Sequence, residues 1–496
     1  MYFKDKKQVD YAVRSWNIAQ NREIFMADTR PKVYTAKCKS IKDPNTSQIS
    51  SPCNWAVTTR KLKNSNCLKV IQWTPAHSCF TTVSRNNNRS LRSNVVASNI
   101  QEQVLKDASF PVKQIQSLIK EKLNVDITYD KGWAARKKAI ENIYGTWESN
   151  FHELPSYVLA LKRSNPGTVV QWSHHPNSSS NCSVFRYVFW AFRPSIEAFS
   201  FCIPVISIDV THLKGPYKGK ILMAVSKNAN NMILPVAYAI VDEETNESWK
   251  WFLQQFEEHV EDPKRRKLCV ISERHAGIKH AMDNLPSWKE PHAYHCFCVR
   301  HVRNNFMQKF KSVSLKRMCW EIGSTSHERK YECLMNELET TNKEAWRYLQ
   351  GIDKSKWTLL YDRGNRRWGN LTTNISESMN NVLRGARLLP IRALREYTFK
   401  RDVEQYAKHY QMGIDCMTAF PGRMWGLFHG REIRARQHRV YTYSARDQRY
   451  MVETIQTSDE SGGSPYTVEY DKQTCTCCKW QIYRFPCSHA RAQYNN

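Results

Sequence analysis

Long apolar runs are missing from this 496-residue sequence. Nowhere do about 18 apolar residues follow one another, and the opening Met1-Tyr2-Phe3-Lys4-Asp5-Lys6-Lys7 has no apolar stretch of signal-peptide length. The expectation is a chain that is neither membrane-spanning nor secreted. Internal self-similarity at periods of about 20–50 residues is absent too, which excludes a solenoid. Acidic side chains are scarce: 46 Asp and Glu stand against 74 Lys and Arg, a formal net charge of +28 spread along the chain. Solubility alone asks for a net charge of only about 2–8 in a small domain, so the excess points to a polyanionic partner, nucleic acid.

What is present is apolar content and cysteine. A hydrophobic fraction of 41% is enough for at least one large buried core, and the length has room for roughly three or four domains. A reducing compartment disfavours disulfides among the 16 cysteines, and several stand beside histidines at metal-ligand spacing, so zinc is the expected use. The run Pro263-Lys264-Arg265-Arg266-Lys267 has the composition of a nuclear localisation signal, with a solvated basic loop as the alternative.

The organisation is modular. Residues 1–82 carry short strand-like runs with two Cys/His pairs and lead into a polar linker, Ser84 to Ser90. The stretch 83–200 is expected to be a helical connector: Val112, Ile115, Leu118 and Ile119 share one face, Trp133, Ile140, Ile143 and Tyr144 another, and Pro111 suits a helix start. Its basic segment Lys131 to Lys138 leaves a helix-turn-helix that touches phosphates open as an alternative.

Residues 201–412 alternate in period. Val205 to Ile208, Ile221 to Val225 and Ile233 to Val241 read as strands, with Asn228 to Asn231 as the turn between the last two. A helix capped by Ser248, a strand Leu268 to Ile271, a helix Gly277 to Leu285, a strand His292 to His295 and a helix through Phe310 follow. That βββαβαβα order is the order of the ribonuclease H fold. Residues 311–373 are charged and helical, as an insertion would be, and helices resume from Ile375 to Ala386 and from Ile391 to Tyr410. From 440 to 496 strand-like alternation returns, passes Ser461 to Pro465, and ends in a tight Cys/His cluster. The predicted fold class is α/β: a ribonuclease-H-like core with a helical insertion, flanked by small zinc-stapled β-rich modules.

Three carboxylates are candidates for chemistry. Asp209 is expected to end the first core strand and Glu273 the fourth, strands that are neighbours in a ribonuclease H sheet, so both would emerge at one sheet edge. Two Mg²⁺ or Mn²⁺ ions about 3.5–4 Å apart could be bridged there, one activating the attacking oxygen and one stabilising the leaving oxygen of a phosphodiester. Glu377, in Asn374-Ile375-Ser376-Glu377-Ser378, is the candidate third ligand. The plain alternatives are a strand-end carboxylate at Asp209, a surface ion pair of Glu273 with Arg274, and a capping box of Asn374 with Glu377. Cys475, Cys477, Cys487 and His489 form a full tetrahedral zinc set closing a short loop, with Cys478 a spare. Cys38, Cys53, His77 and Cys79 make a second candidate set, for which Cys67 competes. Cys298 and His301, at helical spacing, are expected to be structural.

Several ordered blocks then resemble one family. Ile208-Asp209-Val210-Thr211-His212-Leu213-Lys214-Gly215, Leu234-Pro235-Val236-Ala237, Glu247-Ser248-Trp249-x-Trp251-Phe252, Ser272-Glu273-Arg274-His275-Ala276-Gly277-Ile278, Cys298-x-x-His301 with Asn305-Phe306, and Asn374-x-x-Glu377-Ser378-x-Asn380 are similar to the successive blocks of plant Mutator-like transposases. The resemblance extends to an N-terminal module like the WRKY-type zinc domain and a C-terminal one like the SWIM finger. It implies an acidic triad, carried onto Asp209, Glu273 and Glu377, that cuts and rejoins double-stranded DNA at element ends with a divalent metal. It also implies two structural Zn²⁺ sites, a CxxH element at Cys298 and His301, a nuclear location, and action as a multimer of unspecified number.

There are departures from the family pattern. Glu273 stands where the family has aspartate, and Val210 where it has glycine. The chain starts almost inside its first module and stops seven residues beyond His489, where relatives continue, as a truncated or decayed copy would. Two functions are therefore carried forward: an active metal-dependent transposase, and a catalytically silent, domesticated or relict transposase acting as a zinc-dependent DNA-binding regulator. An RNA-processing ribonuclease shares the fold but lacks an RNA-specific aromatic platform motif here.

Overall fold

A computed structural model describes residues 1–20, 22–39, 53–63, 65–79, 91–179, 184–444, 446–455 and 463–493. The linker expected at Ser84 to Ser90, and part of the turn expected at Ser461 to Pro465, lie outside them. The described chain divides into two compact units, one of residues 1–155 with 384–396 and one of 156–383 with 397–496. No described helix is long and apolar enough to cross a membrane.

The first unit opens with β1 (Tyr2–Phe3) and α1 (Lys6–Ala19), whose first turn is closed by the Asp5 carboxylate accepting from the Gln8 amide at 2.8 Å. Strands β2 (Ile24–Asp28), β3 (Val33–Cys38), β4 (Ala56–Lys61) and β5 (Leu68–Trp73) follow, in an antiparallel sheet ordered β1-β5-β4-β3-β2. Val9 and Val13 of α1 are buried on Tyr34, Ala36, Trp55 and Val57 of this sheet region, a small core for a module of this size.

Next come α2 (Ser93–Lys106), α3 (Val112–Leu123), α4 (Tyr129–Tyr144) and α5 (Trp147–Ser164). Val112, Ile115 and Ile119 are buried as their spacing predicts, while Leu118, expected on the same face, is half-buried. The second face does not form as expected: Trp133 is 47% exposed, and α4 instead buries Gly132, Ala135, Ala139 and Ile140. A side chain at Gly132 would come within 2.8 Å of Val112 Cγ1, so the small-residue side of α4 is the one that fits against α3.

The second unit begins by correcting the extent of the helical connector. Helix ends at Ser164, and β6 (Val169–His174) and β7 (Phe185–Ala191) form an antiparallel hairpin that joins the central sheet before α6 (Arg193–Ser200). The sheet continues with β8 (Val205–His212), β9 (Lys220–Lys227) and β10 (Ile233–Val241). After α7 (Asn246–His259) and α8 (Pro263–Arg266) come β11 (Leu268–Ser272), α9 (Ala276–Asn284) and β12 (Ala293–Phe297), giving the order β12-β11-β8-β9-β10-β7-β6. Strands β8, β11 and β12 run parallel and the rest pair antiparallel. Near-continuous apolar runs such as Leu268–Ile271 are what strands covered on both faces require, and β11 is buried at every position. Ser248 does not cap α7. Thr245 does, and Ser248 answers from the third helical position to complete a capping box.

Helix α10 (Val299–Phe310) leads to the expected helical segment: α11 (Val313–Ser324), α12 (Glu328–Thr341), α13 (Lys343–Gln350) and α14 (Lys354–Trp357). This segment has its own core, with Val302, Phe306, Leu315, Ile322, Leu338 and Trp357 buried together. Helices α15 (Asn374–Val382), α16 (Ile391–Ile414) and α17 (Gly422–Ala435) come next, the last not foreseen from the sequence. The C-terminal module is a four-stranded antiparallel sheet of β13 (His438–Ser444), β14 (Arg449–Thr454), β15 (Pro465–Glu469) and β16 (Thr474–Cys475), closed by α18 (Lys479–Tyr483) and α19 (Ser488–Ala492).

Candidate active site and metal clusters

Asp209 is not at the end of its strand, because β8 keeps pairing with the antiparallel β9 as far as His212 opposite Lys220. The parallel pairing with β11 stops earlier, at Ser207 opposite Ile271. Two residues further along each chain are Asp209 and Glu273, so the carboxylates stand where the two strands part. Asp209 is buried, and its carboxyl is pushed up from 3.8 to about 6. Burial is the main cause, the charges of Glu273 and Glu377 add to it, and the Val210 amide and His301 oppose it. The Asn380 side chain of α15 donates to Asp209 Oδ2 at 3.0 Å. Glu273 has no ion pair with Arg274, whose guanidinium instead donates to Tyr348 Oη at 2.7 Å.

Glu377 lies in the first turn of α15, and its carboxylate pairs with Arg300 at 2.6 Å. Asn374 does not cap this helix. Thr373 precedes the first turn without a side-chain cap, and Asn374 accepts from Arg300 at 3.0 Å. Arg300 and Asn380, which the sequence did not single out for roles of their own, thus hold two of the three candidate carboxylates.

Cys298 and His301 explain how α15 comes to this place. Cys298 is fully buried at the start of α10, and its sulfur accepts from the Thr373 amide at 3.2 Å and hydroxyl at 3.4 Å. His301 Nδ1 lies 3.4 Å from the same hydroxyl. Hydrogen bonding to Cys298 raises His301 to about 9, with Asp209 and Glu273 adding to it. The pair therefore ties the residue before α15 to α10 and puts a cation beside the carboxylates.

Among the described residues, two groups of Cys, His, Asp or Glu bring their ligand atoms within 4.8 Å of one another, and they are the two predicted sets. In Cys38, Cys53, His77 and Cys79, the Cys38 and Cys79 sulfurs are 3.6 Å apart and Cys53 Sγ is 3.4 Å from His77 Nδ1. A zinc tetrahedron with Zn–S of about 2.3 Å and Zn–N of about 2.0–2.1 Å has edges of about 3.5–3.8 Å, so the donors fit Zn²⁺. Cys67 is outside the set. His77 is held from behind: its ring lies on Trp55 at 4.8 Å between centroids, and Nε2 meets Oδ1 of the buried Asn17 at 2.8 Å.

The second set is Cys475, Cys477, Cys487 and His489, all buried, with Cys475 Sγ 3.5 Å from His489 Nδ1. Cys478 stands apart in a left-handed turn whose amide donates to the Cys475 carbonyl at 2.8 Å. Tyr466 stacks on the His489 ring at 4.0 Å, and the Cys487 sulfur accepts from the Ala490 amide at the start of α19.

A mixed sheet with carboxylates where two parallel strands part, in one chain with two Cys/His clusters of zinc-ligand geometry, defines a metal-binding α/β protein. Residues 205–305 match the family model of the MULE transposase domain, and residues 466–492 match that of the SWIM zinc finger. The chain therefore carries a MULE transposase domain and a C-terminal SWIM zinc finger, matching a MULE-type transposase. Asp209, Glu273, Cys298 and His301 fall inside the first match and the whole C-terminal cluster inside the second, whereas Glu377 lies beyond the first. No curated protein matches the chain significantly.

Proposed function

We propose that this chain is a Mutator-like transposase, or a protein derived from one, that has a ribonuclease-H-like core and acts on double-stranded DNA in the nucleus. The observation that carries the reading is the pair of carboxylates where β8 and β11 part, inside the MULE match, with a buried Asp209 raised to about 6. The order β10-β9-β8-β11-β12, three antiparallel strands followed by two parallel ones, supports the fold assignment, as does a helical segment between α10 and α15.

An all-oxygen donor set suits a hard divalent cation, Mg²⁺ or Mn²⁺, which Asp209 and Glu273 would hold. Bound there, the ion would supply Lewis-acid activation of a phosphodiester and of the attacking oxygen. The chain's own residues do the rest. Asn380 orients Asp209, His301 offsets the local negative charge, and Arg300 neutralises Glu377. The N-terminal zinc module, of WRKY-like type in this reading, meets the element terminal repeats, and the groove lined by Lys32, Lys61 and Lys63 is its phosphate-facing side.

One observation favours the second reading, a catalytically silent DNA-binding derivative: the three carboxylates do not gather within the reach of one ion among the described residues, and Glu377 is committed to Arg300. Mg²⁺- and Mn²⁺-dependent nicking and end-joining by the purified chain, Glu273→Asp and Asp209→Ala separates the two. Cutting that Asp209→Ala abolishes makes this a working transposase core. Silence that only Glu273→Asp relieves makes it a relict, and cutting that survives Asp209→Ala removes the site from the reading altogether.

A further inference from the structure

Arg274, the residue after Glu273, lines a basic pocket of about 520 Å³, a size within the range of about 300–1,000 Å³ typical of small-ligand sites. It lies beyond the carboxyl ends of β11 and β12, where ligands of open α/β sheets bind. Arg274 enters it from the loop after β11, Lys279 from α9, Phe297 from the end of β12, Asn305 from α10, and Asp353 and Lys356 from the start of α14. Lys279 and Lys356 have no ion pair among the described residues. Arg274 spends one nitrogen on the Tyr348 hydroxyl, and its buried Nε has no partner. Asp353, the one acid on the rim among the described residues, uses its carboxylate to cap α14 at the Ser355 amide, 3.0 Å away.

Three cations around one committed carboxylate leave an uncompensated positive charge, and an anion is what relieves it. The aromatic wall narrows the choice of anion. Phe297 is half-buried, with Lys356 Nζ 5.9 Å from its ring centroid, and the exposed Asn305 amide offers both a donor and an acceptor. Cations that grip a phosphate next to a ring on which a base stacks are the pattern of single-strand binding.

We propose that this pocket binds one unpaired nucleotide of a DNA strand, its phosphate among Arg274, Lys279 and Lys356 and its base against Phe297. The assignment rests on the DNA-binding reading above and adds to it a place for a strand leaving the duplex next to Glu273.

The test is titration of the full zinc-loaded chain with a blunt duplex, with the same duplex carrying a single-stranded overhang, and with a free deoxynucleoside monophosphate. Each is repeated on Phe297→Leu, which keeps apolar volume, and on Lys279→Gln with Lys356→Gln, which are surface changes. The overhang is expected to bind more tightly than the blunt duplex. Phe297→Leu should weaken the overhang by at least about fivefold, in line with stacking, and leave the blunt duplex unchanged. The double lysine variant should flatten the salt dependence of overhang binding by about 0.7 per lost contact. Variants that bind the overhang like the unmodified chain overturn the pocket while leaving DNA binding intact, and a monophosphate that binds as tightly as the overhang overturns the strand assignment. A chain that binds no DNA at all overturns both readings.

Discussion

Removing the Asn17 carboxamide should loosen zinc at the N-terminal cluster and nowhere else. With His77 Nδ1 turned toward Cys53, its Nε2–H donates to Asn17 Oδ1 at 2.8 Å, and the Asn17 amide is itself fixed by donating to the Val13 carbonyl at 2.7 Å. Asn17 is fully buried and Trp55 covers the imidazole, so water has no easy way to replace the lost acceptor. Outer partners of this kind typically contribute about 10- to 100-fold in metal affinity, or about 1.4–2.7 kcal/mol. A buried N–H left unpaired costs about 1–3 kcal/mol, an independent route to the same size. Asn17→Ala should therefore release N-terminal zinc to a competing chelator about 10- to 100-fold more readily, and Asn17→Asp, which restores an acceptor, should bind at least as well as the native chain. The C-terminal cluster is the internal reference. Equal release from both clusters, or an unchanged N-terminal affinity in Asn17→Ala, would refute the reasoning.

Three further outcomes follow from the geometry. Because the Asp209 carboxyl is raised from 3.8 to about 6, the native chain holds its proton more tightly than the unfolded one; that stabilisation is complete below about pH 4 and is lost as the pH rises through 6. Asp209→Asn should consequently be more stable than the native chain at neutral pH by up to about 3 kcal/mol without divalent ions, with the gap closing in acid, and denaturant melts at two pH values check the sign. DNA affinity should fall steeply with salt, since Lys and Arg exceed Asp and Glu by 74 to 46, and a flat response up to physiological ionic strength contradicts a phosphate-dominated interface. Gly369→Ala combines a φ of +75° with a Cβ driven into the Tyr483 ring, so it should cost about 1–3 kcal/mol in backbone strain alone and expose the C-terminal module to limited proteolysis. Proteolysis at the native rate would contradict that docking.

The C-terminal cluster was legible because its ligands span only Cys475 to His489: a loop that short holds thiolates and imidazole near one another whatever the rest of the chain does. The N-terminal set was legible in residue type and in the choice of Cys79, and the fold excludes the competing Cys67 by bringing Cys79 to 3.6 Å from Cys38 across a long stretch of sequence. The core strands could be read from Val205 to Val241 because burial on both faces writes unbroken apolar runs. The hairpin of β6 and β7 was missed because its first strand, Val169–His174, mixes Gln, Ser and His with apolar residues and is only partly covered.

What the sequence determined by itself was therefore local: apolar periodicity, ligand spacing, and an excess of positive charge. The packed face of α4, the seat of Glu377 on Arg300 and the hold of Asn380 on Asp209 were decided only by tertiary structure. Each depends on a partner distant in the chain or on the space a neighbour leaves. Side-chain preferences along one segment carry no information about either.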